Sequence, residues 1–355
     1  MKILYVITGL ALGGAEKVVV DLADQMVLKG HQVKIAYLTG EVLVHPQSQN
    51  IEIIALQLNS IKGLWSASAR YRQLIKAYQP DVVHAHMVHA NIFTRLNRIG
   101  CPVPRLLCTA HSSNEGGQAR MMAYRATNFL SNFNSNVSEQ ATQSLIGKGA
   151  FSSANLHTVY NGVDLNKFNK LTPQQTEHKQ VKLLAVGRFS EAKDYPNLLH
   201  AIAILRDHTQ TEFHLQIAGD GELRPILEAL IQELKLEQQV TLLGKRSDIP
   251  ALLCAADVFV LASAFEGLPT VVLEAMACQC YVVATDCGGT SEIMGDTGQL
   301  VPTQNSQALA DALQQALSLS LTEKQHNNQR ARARIEQTFS LDASVNTWLK
   351  HYESA

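Results

Sequence analysis

Residues 262–302 read ASAFEGLPTVVLEAMACQCYVVATDCGGTSEIMGDTGQLVP, and they follow an apolar run, Val258 to Leu261. A short apolar run that ends in a loop spells a buried parallel strand. Ser263 to Leu268 then reads as loop. Pro269 suits the first position of a helix, where its missing N–H would have had no partner anyway. Thr270 to Ala277 has helix-forming character, weakened by Val271 and Val272. Glu266 therefore lies in the loop, and Glu274 lies more than a turn inside the helix. The N–H groups from Leu268 to Val271 have no intrahelical acceptor, and the helix dipole there favours an anion. One short segment thus offers two carboxylates, which accept hydrogen bonds from hydroxyls, beside donors suited to phosphate oxygens. A sugar nucleotide, with hydroxyls on its sugar and ribose and a diphosphate between them, asks for that mixture.

The strand–loop–helix unit recurs along the chain. Ile3 to Ile7 is a buried strand, Thr8 to Gly14 a glycine-bearing loop, and Ala15 to Lys29 a helix with Val18, Val19, Leu22 and Met26 on a common side. Gly30 ends the helix and Val33 to Leu38 is the next strand, completing a βαβ unit. Gly9, Gly13 and Gly14 do not spell G-x-G-x-x-G, so a dinucleotide fingerprint is absent. Lys2 followed by ILYVITGLALGGA mimics a short secretory signal. Strand, loop and helix explain it better, because a similar strand, Val181 to Val186, opens the second half. Further strands are read at Ile51–Leu56, Asp81–Ala85, Leu106–Ala110, Leu156–Tyr160, Leu215–Ala218 and Val240–Leu243. A chain of 355 residues is comfortable for two domains. The polar stretch Phe168 to Gln180, which holds Pro173, marks their boundary.

Composition narrows the function. A net charge of −1 supplies no field that calls for nucleic acid, and none is expected as a partner. Cys101, Cys108, Cys254, Cys278, Cys280 and Cys287 are scattered; Cys278-x-Cys280 lacks the paired spacing of a zinc site, and the six read as buried reduced thiols of a cytosolic protein. No apolar run reaches the length of a membrane span. Two predicted helices mix basic and aromatic residues: Ile61–Tyr78 with Lys62, Trp65, Arg70, Tyr71, Arg72 and Lys76, and Arg120–Leu130 with Arg120, Tyr124, Arg125 and Phe129. That mixture can seat a helix on lipid headgroups, or form a solvated face with snorkelling stems.

The remaining chemistry-bearing residues fall at strand ends. His84 and His86 share one face of a strand with His89 beyond it, so the three do not converge on a metal. His111 stands at the C-terminal end of the next strand, the edge where open α/β sheets bind ligands. Arg188 and Lys193 lie five residues apart on a loop facing a helix start. A planar fork and a compact ammonium suit the two ends of a diphosphate.

The run S-A-F-E-G-L-P-T-V-V-L-E-A-M-A, with Glu266 and Glu274 separated by seven residues, resembles the E-x7-E signature of the retaining glycosyltransferases of family 4. So do G-R-F-S-E-A-K (Gly187–Lys193), D-C-G-G-T-S (Asp286–Ser291), N-G-V-D (Asn161–Asp164), V-S-E (Val137–Glu139), T-A-H-S around His111 and G-G-A-E (Gly13–Glu16). The resemblance covers essentially the whole chain and is stronger in its second half. It implies an α/β, GT-B architecture of two facing Rossmann-like domains with parallel sheets and an interdomain cleft. An acceptor-side domain would span 1–167 and a nucleotide-sugar domain 168–339, with a final helix over 340–355 packing back on the first.

The same resemblance implies roles. Arg188, Lys193, His111 and Glu266 would be catalytic. Gly14, Gly187, Gly219, Gly244, Gly267, Leu268, Pro269, Thr270 and Glu274 would join Arg188, Lys193 and Glu266 in binding the donor. Gly13, Glu16 and His86 would lie on the acceptor side. The family uses no metal and no cofactor; the leaving diphosphate itself takes the acceptor proton on the front face, while Arg188 and Lys193 hold its growing charge. The implied partners are a nucleoside-diphosphate sugar, UDP before GDP, and a hydroxyl of a bacterial surface glycan or lipid-linked intermediate. The implied location is the cytoplasm, at the inner face of the cytoplasmic membrane. A UDP-sugar 2-epimerase also uses two such domains, but it needs several acid/base groups around the sugar and the E-x7-E frame argues against it. A catalytically silent nucleotide-sugar binder is the third reading.

Overall fold

The protein is described here by a computed structural model covering residues 1–11, 13–113, 115–169 and 180–354. The chain forms two compact units, Met1–Asn161 with Ser344–Ala355, and Gly162–Ala343. Of the linker read at Phe168 to Gln180, residues 170–179, Pro173 among them, lie outside the described residues.

The first unit is built on a parallel sheet of seven strands: β1 (Lys2–Ile7), β2 (Gln32–Tyr37), β3 (Glu52–Ala55), β4 (Val82–His86), β5 (Arg105–Ala110), β6 (Phe133–Asn136) and β7 (His157–Thr158). Their order is β3-β2-β1-β4-β5-β6-β7. The direction of winding reverses between β1 and β4, which pair with Ile7 opposite His86. At such a reversal the loops diverge and leave room above the strand ends. Ile3 to Ile7 are buried without exception, as in a sheet covered on both faces. The helix Gly14–Leu28 turns Val18, Val19, Leu22 and Met26 inward, together with Val20 and Ala23.

The last helix, Leu341–Glu353, starts in the second unit, and its residues from Ser344 onward belong to the first. The Trp348 ring lies 4.3 Å from that of His84. The Tyr352 hydroxyl meets His84 Nδ1 at 2.7 Å and the Tyr5 hydroxyl at 3.1 Å. Ser344 donates to the Tyr160 carbonyl.

The second unit has six parallel strands: β8 (Val181–Val186), β9 (Phe213–Ala218), β10 (Val240–Gly244), β11 (Val258–Leu261), β12 (Tyr281–Thr285) and β13 (Gln299–Val301). The order β10-β9-β8-β11-β12-β13 reverses between β8 and β11, as the first sheet does between β1 and β4. The helix Thr270–Ala277 joins β11 to β12, and every residue from Val271 to Ala277 is buried. That full burial is why the segment shows no polar stripe. Pro269 is not the first helical residue but the one before it. Its ψ of 95° is extended, and Val272 N–H reaches back to its carbonyl at 2.9 Å. Gly162, in the N-G-V-D turn, is fixed by packing within this unit: Val163 pairs with Ser340, and a Cβ on Gly162 would stand 2.5 Å from the Leu341 Cα.

The two basic and aromatic helices are sorted by burial. Tyr71 and Tyr124 enter the core, while Trp65 and Phe129 point outward. All six cysteines are free, five of them buried.

Trp348 fills the centre of the contact between the last helix and β4. Trp348→Ala should cost the first unit about 3–5 kcal/mol, the usual penalty for emptying a large aromatic site. Urea unfolding read by the near-ultraviolet signal checks this; a loss below 1 kcal/mol, by the same reasoning, would mean the helix is only loosely seated.

Candidate functional site

In the second unit three glycine turns lie side by side at the C-terminal ends of β8, β9 and β10. Gly187 N–H bonds to the Ala218 carbonyl at 3.0 Å, and Gly219 N–H to the Gly244 carbonyl at 2.9 Å. A Cβ on Gly219 would stand 1.9 Å from the Gly187 carbonyl oxygen, so only glycine lets the two turns approach. Tyr195 donates to the same Gly187 carbonyl. Arg188 leaves this edge toward solvent, 63% exposed, and pairs with Glu222 at 3.2 Å. Arg224 lies over the Phe189 ring and binds Asp220.

Lys193 ends a short 3-10 turn, Glu191–Lys193, at the start of the helix Tyr195–His208. The loop after β11 is tied to that turn, since Ala264 N–H bonds to the Ala192 carbonyl at 2.9 Å. From the other side, Gly289 N–H bonds to the Gly267 carbonyl at 2.7 Å. Gly288, at φ +56°, is pressed against the Glu266 and Gly267 backbone, where a Cβ would stand 2.6 Å from the Glu266 carbonyl oxygen. Held between these two loops, Glu266 accepts from Lys193 Nζ at 2.6 Å and from Ser263 Oγ at 2.7 Å. The Lys193 and Glu266 side chains are 21% and 14% exposed, so this is a half-buried ion pair. Leu268 and Glu274 are buried, at 6% each, Glu274 within the helix Thr270–Ala277 and Leu268 just before it. No side chain caps the start of that helix at Pro269 and Thr270.

The structure thus brings together Gly187, Gly219 and Gly244 at one edge, and Lys193, Glu266 and Gly267 at the neighbouring loops. It pairs Arg188 with a different carboxylate from the one that holds Lys193. Sequence reasoning missed Glu222, Ser263 and the packing role of Gly288. Glu222 and Gly288 find their partners across tens of residues, and only Ser263, three before Glu266, carried a local signal.

In the first unit the polar residues gather at the ends of β4 and β5. His86 Nδ1 and His111 Nε2 are 3.0 Å apart. The His84 and His86 rings lie 4.0 Å apart, centre to centre. His84 uses both nitrogens, one with Tyr352 and one with Thr109 at 2.7 Å, whereas His86 Nε2 is buried without a partner. His89 is exposed on the following helix and does not join them. Glu115, itself buried, accepts from the His111 backbone N–H at 3.0 Å. Burial holds His111 down at about 4, and burial with the neighbouring rings holds His84 and His86 well below their ordinary value. Burial pushes the Glu115 carboxyl up, against its hydrogen bonds. Gly13 precedes the helix Gly14–Leu28, and the Glu16 carboxylate folds back so closely that a Cβ on Gly13 would stand 2.4 Å from it. Gly14 is the first residue of that helix and is exposed.

Two family models match the chain. The one described as Glycosyltransferase Family 4 matches residues 12–167, and Glycosyl transferases group 1 matches residues 167–335. The chain is similar to the N-acetylgalactosamine-N,N'-diacetylbacillosaminyl-diphospho-undecaprenol 4-alpha-N-acetylgalactosaminyltransferase of Campylobacter jejuni, 28% identical over 91% of this chain and 92% of the relative. It is also similar to a second Campylobacter jejuni protein, the GalNAc-alpha-(1->4)-GalNAc-alpha-(1->3)-diNAcBac-PP-undecaprenol alpha-1,4-N-acetyl-D-galactosaminyltransferase, 26% identical over 99% and 98%. Among solved structures, HepE of Anabaena in complex with UDP and glucose superposes with a TM-score of 0.84 over both full chains at 22% identity, a likeness of fold.

The buried histidines carry a pH dependence. In the unfolded chain each titrates near 6.5, within roughly the usual range. Below that value the unfolded chain takes up protons that the folded chain refuses, so stability falls as pH drops from 6.5 toward about 4. Each ring adds up to about 1.4 kcal/mol per pH unit. Glu115 acts in the opposite sense, one group against three. Urea midpoints at pH 7, 6 and 5 should therefore decline, and His111→Gln should flatten the decline; a midpoint independent of pH would refute the assignment.

Proposed function

The chain belongs to the glycosyltransferases of family 4, and from that membership we propose that it moves a sugar from a nucleoside diphosphate, UDP by preference, to a hydroxyl of a lipid-linked bacterial glycan. The observation that carries the donor half is the Lys193–Glu266 pair, half-buried between two backbone-tied loops. An ammonium beside a carboxylate suits a diphosphate beside sugar hydroxyls. The lipid-linked acceptor is supported by two relatives whose names both specify undecaprenol-bound acceptors.

The chemistry follows from charge. As the bond from the anomeric carbon to the diphosphate breaks, negative charge grows on the leaving oxygen. Lys193 and Arg188 would hold that charge, which leaves no step that requires a metal ion. The acceptor hydroxyl attacks from the same face, so configuration is retained, and its proton passes to the departing diphosphate. Glu274 would accept from ribose hydroxyls and Glu266 from hydroxyls of the donor sugar. The run Gly267 to Thr270 would approach the phosphates through its backbone, with the turns at Gly187, Gly219 and Gly244 near the nucleotide. In the first unit, His111, kept neutral by burial, can donate or accept a hydrogen bond at the reacting hydroxyls. His86 would fix its orientation, and Gly13, Gly14 and Glu16 would stand at the neighbouring loop.

Product analysis with a panel of UDP- and GDP-sugars and a polyprenyl-diphosphate-linked acceptor tests the reading. A glycoside of retained configuration, formed equally with EDTA present, is expected. A free epimerised sugar, or donor binding with no product, would overturn it.

Arg188→Ala and Lys193→Ala should each lower kcat by about 100- to 1000-fold with little change in KM, because the cations bind the transition state better than the ground state. If KM rises while kcat holds, they only bind substrate. Glu274→Ala should weaken the free nucleoside diphosphate by about tenfold or more, the loss of one charge-assisted hydrogen bond.

Glu266→Gln should do the reverse to product affinity. With the carboxylate gone, Lys193 is released to the diphosphate, and calorimetry should show UDP binding tightened by about tenfold. Turnover should fall in the same variant. Weaker UDP binding would show that Glu266 supports the nucleotide rather than competing with it.

A further inference from the structure

Arg224 stands where helix energetics disfavour it. It is the first residue of the helix Arg224–Glu233, whose first turn holds no acidic residue. A helix start carries positive charge, and a cation there is opposed by the dipole. What the guanidinium gains therefore lies outside its own helix.

It touches all three glycine turns of the second unit. Its Cζ lies 5.4 Å from the centre of the Phe189 ring, in the loop after β8. Nε donates to Asp220 Oδ1 at 2.9 Å, in the turn after β9. Nη2 lies 3.6 Å from where a Cβ on Gly244, after β10, would stand. The surroundings are tight. Phe189 N–H bonds to the Asp220 carbonyl at 3.0 Å, and a Cβ on Gly221 would stand 2.5 Å from the Phe189 carbonyl oxygen. The guanidinium is thus held in place, yet its side chain remains 27% exposed.

Its hydrogen-bond account is open at one nitrogen. Nε is taken by Asp220, and Nη1 donates to Glu228 at 3.1 Å. Nη2 has no acceptor among the described residues. Tying the turns together uses Nε and the ring contact. The two N–H groups of Nη2 are left over, beside a turn where glycine, at φ +71°, leaves the backbone bare.

Position along the edge selects what those donors meet. Lys193, paired with Glu266, stands on the β11 side of β8. The Gly244 turn lies on the other side, two strands from β8, or about 10 Å at the usual strand spacing. A nucleoside diphosphate lying along this edge with its phosphates at Lys193 brings its base toward that turn. A guanidinium only donates, so the base must present an acceptor. Uracil carries a keto oxygen where cytosine carries an amino group, and guanine carries one where adenine has an amino group.

We propose that Arg224 is a specificity-determining residue for the nucleobase: Nη2 donates to this keto oxygen and selects uracil or guanine against cytosine or adenine. An amino group in the same place would set donor against donor. The inference rests on the nucleotide-sugar reading above and adds to it the side chain that tells one base from another.

Calorimetry on the full chain with UDP, CDP, GDP, ADP and inorganic pyrophosphate tests it. The better-bound keto nucleotide should exceed its amino counterpart, UDP over CDP or GDP over ADP, by about ten- to a hundredfold, as expected for one hydrogen bond from a charged donor. Arg224→Lys keeps a cation for Asp220 but lacks the planar fork. It should weaken the keto nucleotide by the same factor and leave the amino nucleotide and pyrophosphate unchanged, so that the preference disappears. Unchanged pyrophosphate affinity and matching far-ultraviolet circular dichroism would show that the edge is intact. Three results overturn the proposal: no keto preference in the unaltered chain, a preference that survives in Arg224→Lys, or equal weakening of keto nucleotide, amino nucleotide and pyrophosphate, which would make Arg224 a phosphate contact or a support of the turns. If none of the four nucleotides binds, the nucleotide-sugar reading itself falls, and this inference with it.

Discussion

A parallel sheet covered on both faces has no surface of its own. Its side chains above and below are buried, and polar groups can meet solvent only where the strands end. The central strands of both sheets obey that constraint, with β1 buried from Ile3 to Ile7 and β11 buried throughout, whereas the edge strands β3 and β10 stay partly exposed. Each sheet is also wound outward from a reversal, between β1 and β4 and between β8 and β11. Polar side chains and tight turns therefore gather at the C-terminal edges: Gly187, Lys193 and Glu266 in one unit, His86 and His111 in the other. The glycine turns follow from the same constraint. Adjacent parallel strands end about 5 Å apart, so their loops start in close contact unless side chains are removed.

The constraint explains what the sequence could reveal. The apolar run Val258–Leu261 coincides with its strand because burial on both faces leaves no room for polar alternation, and Val181–Val186 does so around its buried centre, Leu183 to Ala185, although Lys182 interrupts it. The loops after them were legible because strand ends fix where Arg188, Lys193 and Glu266 begin. What stayed hidden depends on partners distant in sequence. Tyr281–Thr285 and Gln299–Val301, the strands β12 and β13, sit inside a stretch whose motifs drew attention to its loops. The direction in which an aromatic residue points was also unreadable: Tyr71 and Trp65 share a helix, yet one is core and the other solvent-facing. The separation of Arg188 from Lys193 required knowing that Glu222 stands beside one and Glu266 beside the other.

His84 departs from the rule, as Asn134 and Ser135 on β6 also do: it is a polar side chain in the middle of a buried strand. It is tolerated because both nitrogens are satisfied, by Thr109 on β5 and by Tyr352 on the last helix. An unsatisfied buried polar group would cost about 1–3 kcal/mol. The last helix therefore does more than cover apolar area, since it completes a hydrogen-bond set that the strand cannot complete alone. Through the close, mutually tilted rings of His84 and His86 that set adjoins His111. A change in how the final helix seats is thus felt one ring away from His111, at the end of β5.

The Lys193–Glu266 pair raises the opposite question, of charge rather than neutrality. A half-buried ammonium without a partner would pay for lost hydration, and so would a half-buried carboxylate. Paired, each is the other's counter-ion while no ligand is bound, and Ser263 adds a donor to the same oxygen. On the proposed reading, a diphosphate entering this edge would bring its own negative charge and compete with Glu266 for the ammonium. The carboxylate would then exchange that donor for another, and the hydroxyls of the transferred sugar are donors that a nucleotide sugar carries and a bare nucleoside diphosphate lacks. The exchange of partners would favour the intact donor over the spent nucleotide without any contact to the sugar's identity. A single salt bridge would then serve both to keep the empty loop ordered and to help expel the product.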